Sequence, residues 1–268
     1  MRRSILAVFI LAALLLPTAV NAQQNDYEPS VGQEGKDVIW VPTPDELVQA
    51  MLDLAKITPQ DNLMDLGSGD GRIVIAAAKR GVRATGIEYN PDMVELSKRN
   101  AEKAGVSGKA NFVNADLFAT DLSQATVITM YLLPSLNLKL RPTILNLKPG
   151  TRVVSHAFTM GEWQCDQSIV KEGRTAYLWI VPAKVDGIWT WPVNNGNAEL
   201  KLSQTFQMVD GTLKLNAKET ALKDAKLEGS HISFSCGVEE YDGQVSGKTI
   251  EGFVKSKGHE QRWSATLR

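Results

Sequence analysis

Cysteine is scarce: Cys165 and Cys236 are the only two in 268 residues, they lie far apart, and they show no metal-ligand spacing such as C-x-x-C. Two free thiols is the simplest reading, with a single disulfide as the alternative for an exported chain. A charge of one sign is also missing. Lys and Arg number 29 against 30 Asp and Glu, so no global field steers the chain to nucleic acid or anionic lipid. Long hydrophobic runs are nearly absent. The longest, Ile5 to Leu16, is shorter than the roughly 20 residues that a spanning helix needs. What is present suits a globular protein: 43% hydrophobic and 22% charged residues, enough for one good core and a small second one.

The N-terminus reads MRRSILAVFILAALLLPTAVNAQQ. Arg2 and Arg3 give a basic start, Pro17 ends the apolar run, and Val20-Asn21-Ala22 has the small-residue pattern of a signal-peptidase site. A signal peptide over 1–22 is expected, with Gln23 as the first mature residue and export, to the periplasm, as the destination. Retention of the leader as a membrane tether is the alternative. Residues 23–39 are polar and contain glycine, which predicts a flexible leader.

Two regions of different rhythm follow. Over 40–183, short apolar strands alternate with helical stretches, the pattern of an α/β fold with a mostly parallel sheet covered on both faces. Over 184–268 the helices vanish, and period-two alternation with Gly and Asn turns predicts a small antiparallel β-barrel or sandwich. Trp189, Trp191, Tyr241 and Trp263 read as the core or rim of that unit. In the first region Thr43, Pro44 and Glu46 form a capping box for a helix carrying Leu47, Val48, Met51 and Leu52 on one face. Asn90-Pro91 starts a later helix with the same cap-then-proline chemistry.

The chemistry concentrates in "MDLGSGDGRIVIAAAK", residues 64–79. A glycine loop between a strand and a helix usually cradles a phosphate. Here, however, Gly67, Gly69 and Gly71 miss the G-x-G-x-x-G spacing by one position, and Asp70 stands between two of them. A carboxylate at ~4 Å from a phosphate costs about 1 kcal/mol in water and several in a partly buried site. A ligand with an ammonium group, a ribose and no phosphate fits better. Asp65 and the loop suit its amino-acid part, and Glu88, about 20 residues past Gly67, stands where an acid grips a ribose. Asp116, just past the third strand, is placed to reach the adenine amine. Arg72 serves the loop or meets the ligand's carboxylate.

Residues 62–79, 86–90, 114–118 and 126–134 resemble, in order, the motifs of class I SAM-dependent methyltransferases, over a little more than half the chain. "VPTPDELVQAML", "DLGSGDGRIVIAAAKR" and "LKPGTRVVSHAF" are most similar to the ATP-synthase c-subunit lysine methyltransferases and their histone-methylating relatives. The resemblance implies a Rossmann-like seven-stranded sheet and S-adenosyl-L-methionine as cofactor. It implies cofactor contacts from Asp65, Gly67, Ser68, Gly69, Asp70, Gly71, Glu88, Tyr89, Asp116 and Leu117, and a protein lysine amine as methyl acceptor. It also places Tyr131 and His156, at the ends of the fourth and fifth strands, as candidate catalytic residues. The chain departs from many amine methyltransferases after the fourth strand. There, Tyr131-Leu132-Leu133-Pro134 replaces the Asn/Asp-Pro-Pro-Tyr/Phe box. A small molecule or lipid is the alternative acceptor, and a non-catalytic nucleoside-binding module of the cell envelope is the alternative class. Neither metal nor nucleic acid is expected.

Overall fold

The computed structural model describes residues 27–193, 196–216 and 218–268; the expected signal peptide lies outside them. Helix α1 (Asp45–Leu54) opens the first region. Strand β1 (Asn62–Leu66) leads through the glycine loop into α2 (Arg72–Lys79). Strand β2 (Arg83–Glu88), helix α3 (Pro91–Lys103) and strand β3 (Ala110–Asn114) follow. Then come β4 (Val127–Met130), α4 (Pro134–Ile144), β5 (Arg152–His156), and the hairpin of β6 (Gln167–Lys171) and β7 (Arg174–Ile180). The sheet order is β3-β2-β1-β4-β5-β7-β6. The first five strands are parallel and β7 runs antiparallel to β5. Glu172 and Gly173 both take the left-handed conformation that a tight hairpin turn requires.

Neighbouring strand residues point to opposite faces, and both faces are apolar. Val127, Val154 and Leu178 join a core with α1, α2 and α3. Ile128, Val153 and Trp179 join another with α4 and Trp163. The result is an α/β/α sandwich whose crevice opens at the carboxyl ends of β1 and β4, the switch point of the strand order.

One helix start differs from expectation. Pro44, not Thr43, is the N-cap of α1, and no side chain caps it. The Thr43 hydroxyl instead bonds His156 Nδ1 at 3.1 Å, and its carbonyl accepts from Arg72 Nη1 at 2.9 Å. Tertiary partners outcompete the local capping box. At α3 the expectation holds, for Asn90 Oδ1 accepts from the Asp92 amide at 2.9 Å.

The second region is a nearly closed antiparallel sheet of nine strands, β8 (Gly187–Val193) through β16 (His259–Leu267). Strand β16 returns to pair with β8. The four aromatics picked out in the sequence are buried inside it, with Phe234 stacked on Tyr241 at 4.8 Å. Cys165 and Cys236 are both free.

The two sheets touch through built contacts. Ala183 N–H donates to the Gly229 carbonyl at 2.7 Å, and Gly229 lies so near Gly150 that a Cβ would come within 3.0 Å of it. The turn between β9 (Gly196–Thr205) and β10 (Met208–Leu215) drives Phe206 onto Trp163, rings stacked 6.0 Å apart. Gln207 Nε2 beside it donates to the Gln164 carbonyl at 2.7 Å.

Candidate active site

A cavity of about 260 Å³ opens at the switch point. That is just below the ~300–1,000 Å³ usual for small-molecule sites, so a nucleoside-sized ligand fills it or parts its walls. Asp65, Gly67, Ser68, Gly69, Asp70, Glu88, Tyr89, Asp116, Leu117 and Tyr131 all line it, as the sequence led us to expect.

The loop's own hydrogen bonds decide what it can hold. Gly67 and Ser68 N–H both donate to the Ile87 carbonyl, Gly69 N–H to Glu88 Oε2, Gly71 N–H to the Ser68 carbonyl, and Arg72 N–H to Asp70 Oδ1. These amides are satisfied internally, so they form no nest for a phosphate.

The acids that remain suit a cationic nucleoside. Glu88 bridges the loop and the next turn, accepting from Gly69 N–H and Asn90 N–H at 2.9 Å each. Each of its oxygens keeps a lone pair for a diol. Asp65 is only 2% exposed and accepts from Thr129 Oγ1 at 2.7 Å. Burial pushes its carboxyl up to about 7, Thr129 opposes that shift, and the neighbouring Glu88 and Asp70 charges add to it. An ammonium arriving beside it would supply the missing counter-charge.

Three of the expected cofactor contacts have other surroundings in the structure. Asp70 lines the cavity, but both its oxygens are held by the Arg72 guanidinium, at 2.7 to 3.2 Å. It is bound as an internal clamp on the start of α2, and Arg72 serves the loop. Gly71 does not line the cavity. It is the left-handed N-cap of α2, and a Cβ there would stand 2.7 Å from the Phe112 ring, so the third glycine answers a packing demand. The Ser68 hydroxyl is buried without a partner and lies 2.5 Å from where a Gly86 Cβ would be, which turns it away from the ligand space.

The cavity also has an apolar wall, made by Tyr131, Leu132, Leu133, Leu136 and Phe158. No hydrogen bond ties the Tyr131 hydroxyl among the described residues. His156 is not in this wall. It is 3% exposed and sits behind Tyr131, ring centroids 3.8 Å apart. Burial, with Arg174 adding repulsion, lowers its pKa to about 4. The structure thus places His156, a catalytic candidate in the sequence, outside the cavity lining and packed against Tyr131, where so low a pKa makes the ring a weak base.

The sequence reading missed one whole side of the site. Residues 33–43, mostly within the expected loose leader, line the cavity. Gly32 N–H donates to the Trp40 carbonyl and Trp40 N–H to the Gln33 carbonyl, each at 2.9 Å, making a small hairpin. Its signal in the sequence was the apolar run Val38-Ile39-Trp40-Val41 directly before α1.

Comparison with known proteins agrees with this geometry. The family model described as the ANTKMT methyltransferase domain matches residues 65–167. A protein-lysine N-methyltransferase of Saccharolobus islandicus is 44% identical, over 54% of this chain and 94% of its own length. The mouse adenine nucleotide translocase lysine N-methyltransferase is 32% identical, over 70% of this chain and 74% of that protein. Among solved structures, an RNA methyltransferase from Salinibacter ruber in complex with S-adenosyl-L-homocysteine is 51% identical. It aligns with a TM-score of 0.53, over 54% of this chain and 96% of that one. Fold, cavity and relatives together make this chain a member of the class I S-adenosylmethionine-dependent methyltransferases, in the group that carries the ANTKMT methyltransferase domain.

Proposed function

We propose that this enzyme methylates the side-chain amine of a protein lysine. The observation that carries the reading is one cavity lined both by the carboxylates of Asp65, Glu88 and Asp116 and by an apolar wall that includes Tyr131, Leu133 and Phe158. In it Asp65 would pair with the cofactor's ammonium, Glu88 with its ribose diol and Asp116 with its adenine amine. The Gly67–Gly69 backbone, Tyr89 and Leu117 shape the remaining contacts. S-adenosylmethionine supplies an electrophilic methyl on a sulfonium.

The apolar wall has two tasks. A lysine amine is protonated at its usual pKa near 10.4, and desolvation between Tyr131, Leu133 and Phe158 favours the neutral form that can attack. With the cofactor bound, the nitrogen lone pair would form the new bond to carbon while the carbon–sulfur bond broke and its electron pair left with sulfur. Holding the two in line contributes up to ~7–11 kcal/mol of the barrier reduction. The Tyr131 hydroxyl, which has no hydrogen-bond partner among the described residues, would accept a hydrogen bond from the amine.

The Salinibacter relative, an RNA methyltransferase, favours a second acceptor, RNA. Against it stands the chain's balanced charge, 29 basic to 30 acidic residues. Incubation with radiolabelled S-adenosylmethionine and a fractionated envelope extract separates the readings. Methyl-lysine released from a labelled protein band supports the first; label in RNA or lipid overturns it. We further propose that residues 1–22 are removed on export, so that the acceptor belongs to the cell envelope.

A further inference from the structure

The leader hairpin carries its own charge into the cofactor cavity. Lys36 Nζ stands 2.5 Å from Asp116 Oδ2 and 4.7 Å above the Tyr89 ring. Asp116 Oδ1 accepts from the Phe118 amide at 2.8 Å, so the carboxylate is gripped from both sides. At the other end of the hairpin, Trp40 lies against the glycine loop; a Cβ on Gly69 would come within 2.6 Å of its Nε1. Residues 33–41 therefore run across the cavity from the acid proposed for adenine to the loop beneath the amino-acid part.

Its two ends are fastened unequally. Thr43 anchors the C-terminal end through a buried bond to His156 and a part-buried one from Arg72. Lys36 and Asp116 side chains are 32% and 33% exposed, and solvent-screened pairs of this kind are weak and quickly broken. A firm hinge with a weak catch can open and reclose in every catalytic cycle.

We propose that residues 33–41 clasp the bound cofactor and that Lys36 is its latch, a positioning residue that fixes the Asp116 carboxylate and closes the hairpin over the adenine end. This rests on the placement of the cofactor proposed above. The latch retains one lone pair on Asp116 Oδ2 for the adenine amine while sealing the roof with a cation on Tyr89. Lys36 and Trp40 both lie outside residues 65–167, the stretch matched by the family model.

The test uses the full chain with S-adenosyl-L-homocysteine as probe. Lys36→Met should speed its dissociation by about fivefold, with the association rate little changed. The same variant should accelerate amide exchange over residues 27–43 without ligand, at an unaltered thermal midpoint. Lys36→Arg should restore both. An unchanged dissociation rate in Lys36→Met overturns the clasp. Asp65→Asn and Glu88→Ala separate the two readings. If they lose the probe while Lys36→Met behaves as wild type, the clasp fails and the cofactor placement stands; if they bind it normally, both fail.

Discussion

Asp65 is the residue on which the cofactor chemistry turns. Its folded pKa, about 7, lies above its unfolded value, so in the empty protein its ionisation costs stability progressively as the pH rises toward 7. An ammonium ligand needs the ionised form, so the proton must leave on binding below that pH. Affinity for S-adenosyl-L-homocysteine should fall by about tenfold between pH 8 and pH 6, with proton release seen by titration calorimetry in buffers of different ionisation enthalpy. Flat affinity across that range would place the ammonium elsewhere. His156 gives the opposite forecast. With a pKa near 4 it stays neutral throughout, so the methyl-transfer rate should show no inflection near 6.5 assignable to it, while His156→Ala should lower turnover by loosening Tyr131. The acids were legible from sequence because glycine spacing and strand ends fix where such residues fall. The internal use of Asp70 and the burial of His156 were not, since both depend on partners, Arg72 and Tyr131, that only tertiary packing supplies.

Elements repeat that division. Strands and helices of the first region were readable because apolar periods of two and 3.6 alternate cleanly, and the Asn90-Pro91 start obeys local chemistry. Thr43 broke the same rule, since its hydroxyl finds a better partner on β5 than on its own helix. The hairpin over 33–41 escaped notice because its first half, Gln33 to Asp37 with Gly35 in it, has the composition of a linker and masks the apolar run after it; its order comes from the cavity it covers. At the start of α2, Gly71→Ala would force a Cβ into the Phe112 ring and strain a left-handed residue. A loss of about 2 kcal/mol in a denaturant titration is expected, with cofactor affinity falling as the loop shifts. In the second region Phe206 occupies a left-handed conformation that bulky residues avoid. Such strain persists where the surroundings demand it, and here it presents a ring to Trp163 and to the Arg141 guanidinium, 5.4 Å away. Phe206→Ala should cost roughly 2–3 kcal/mol by the same measurement.

For the whole molecule, the leader and the nine-stranded sheet frame a domain that its archaeal relative matches over 94% of that relative's own length. If the proposed export is right, protein isolated from cells should begin at Gln23, which N-terminal sequencing would read directly; an intact Met1 would favour the tether. The added sheet could have been a loosely strung passenger, but Gly150 and Gly229 argue otherwise. Both adopt positive φ, and their backbones meet with no side chain between them. Two bodies pressed so close share a melting event: a calorimetric scan should give one endotherm, and Gly229→Val should wedge the seam apart and split the trace into two.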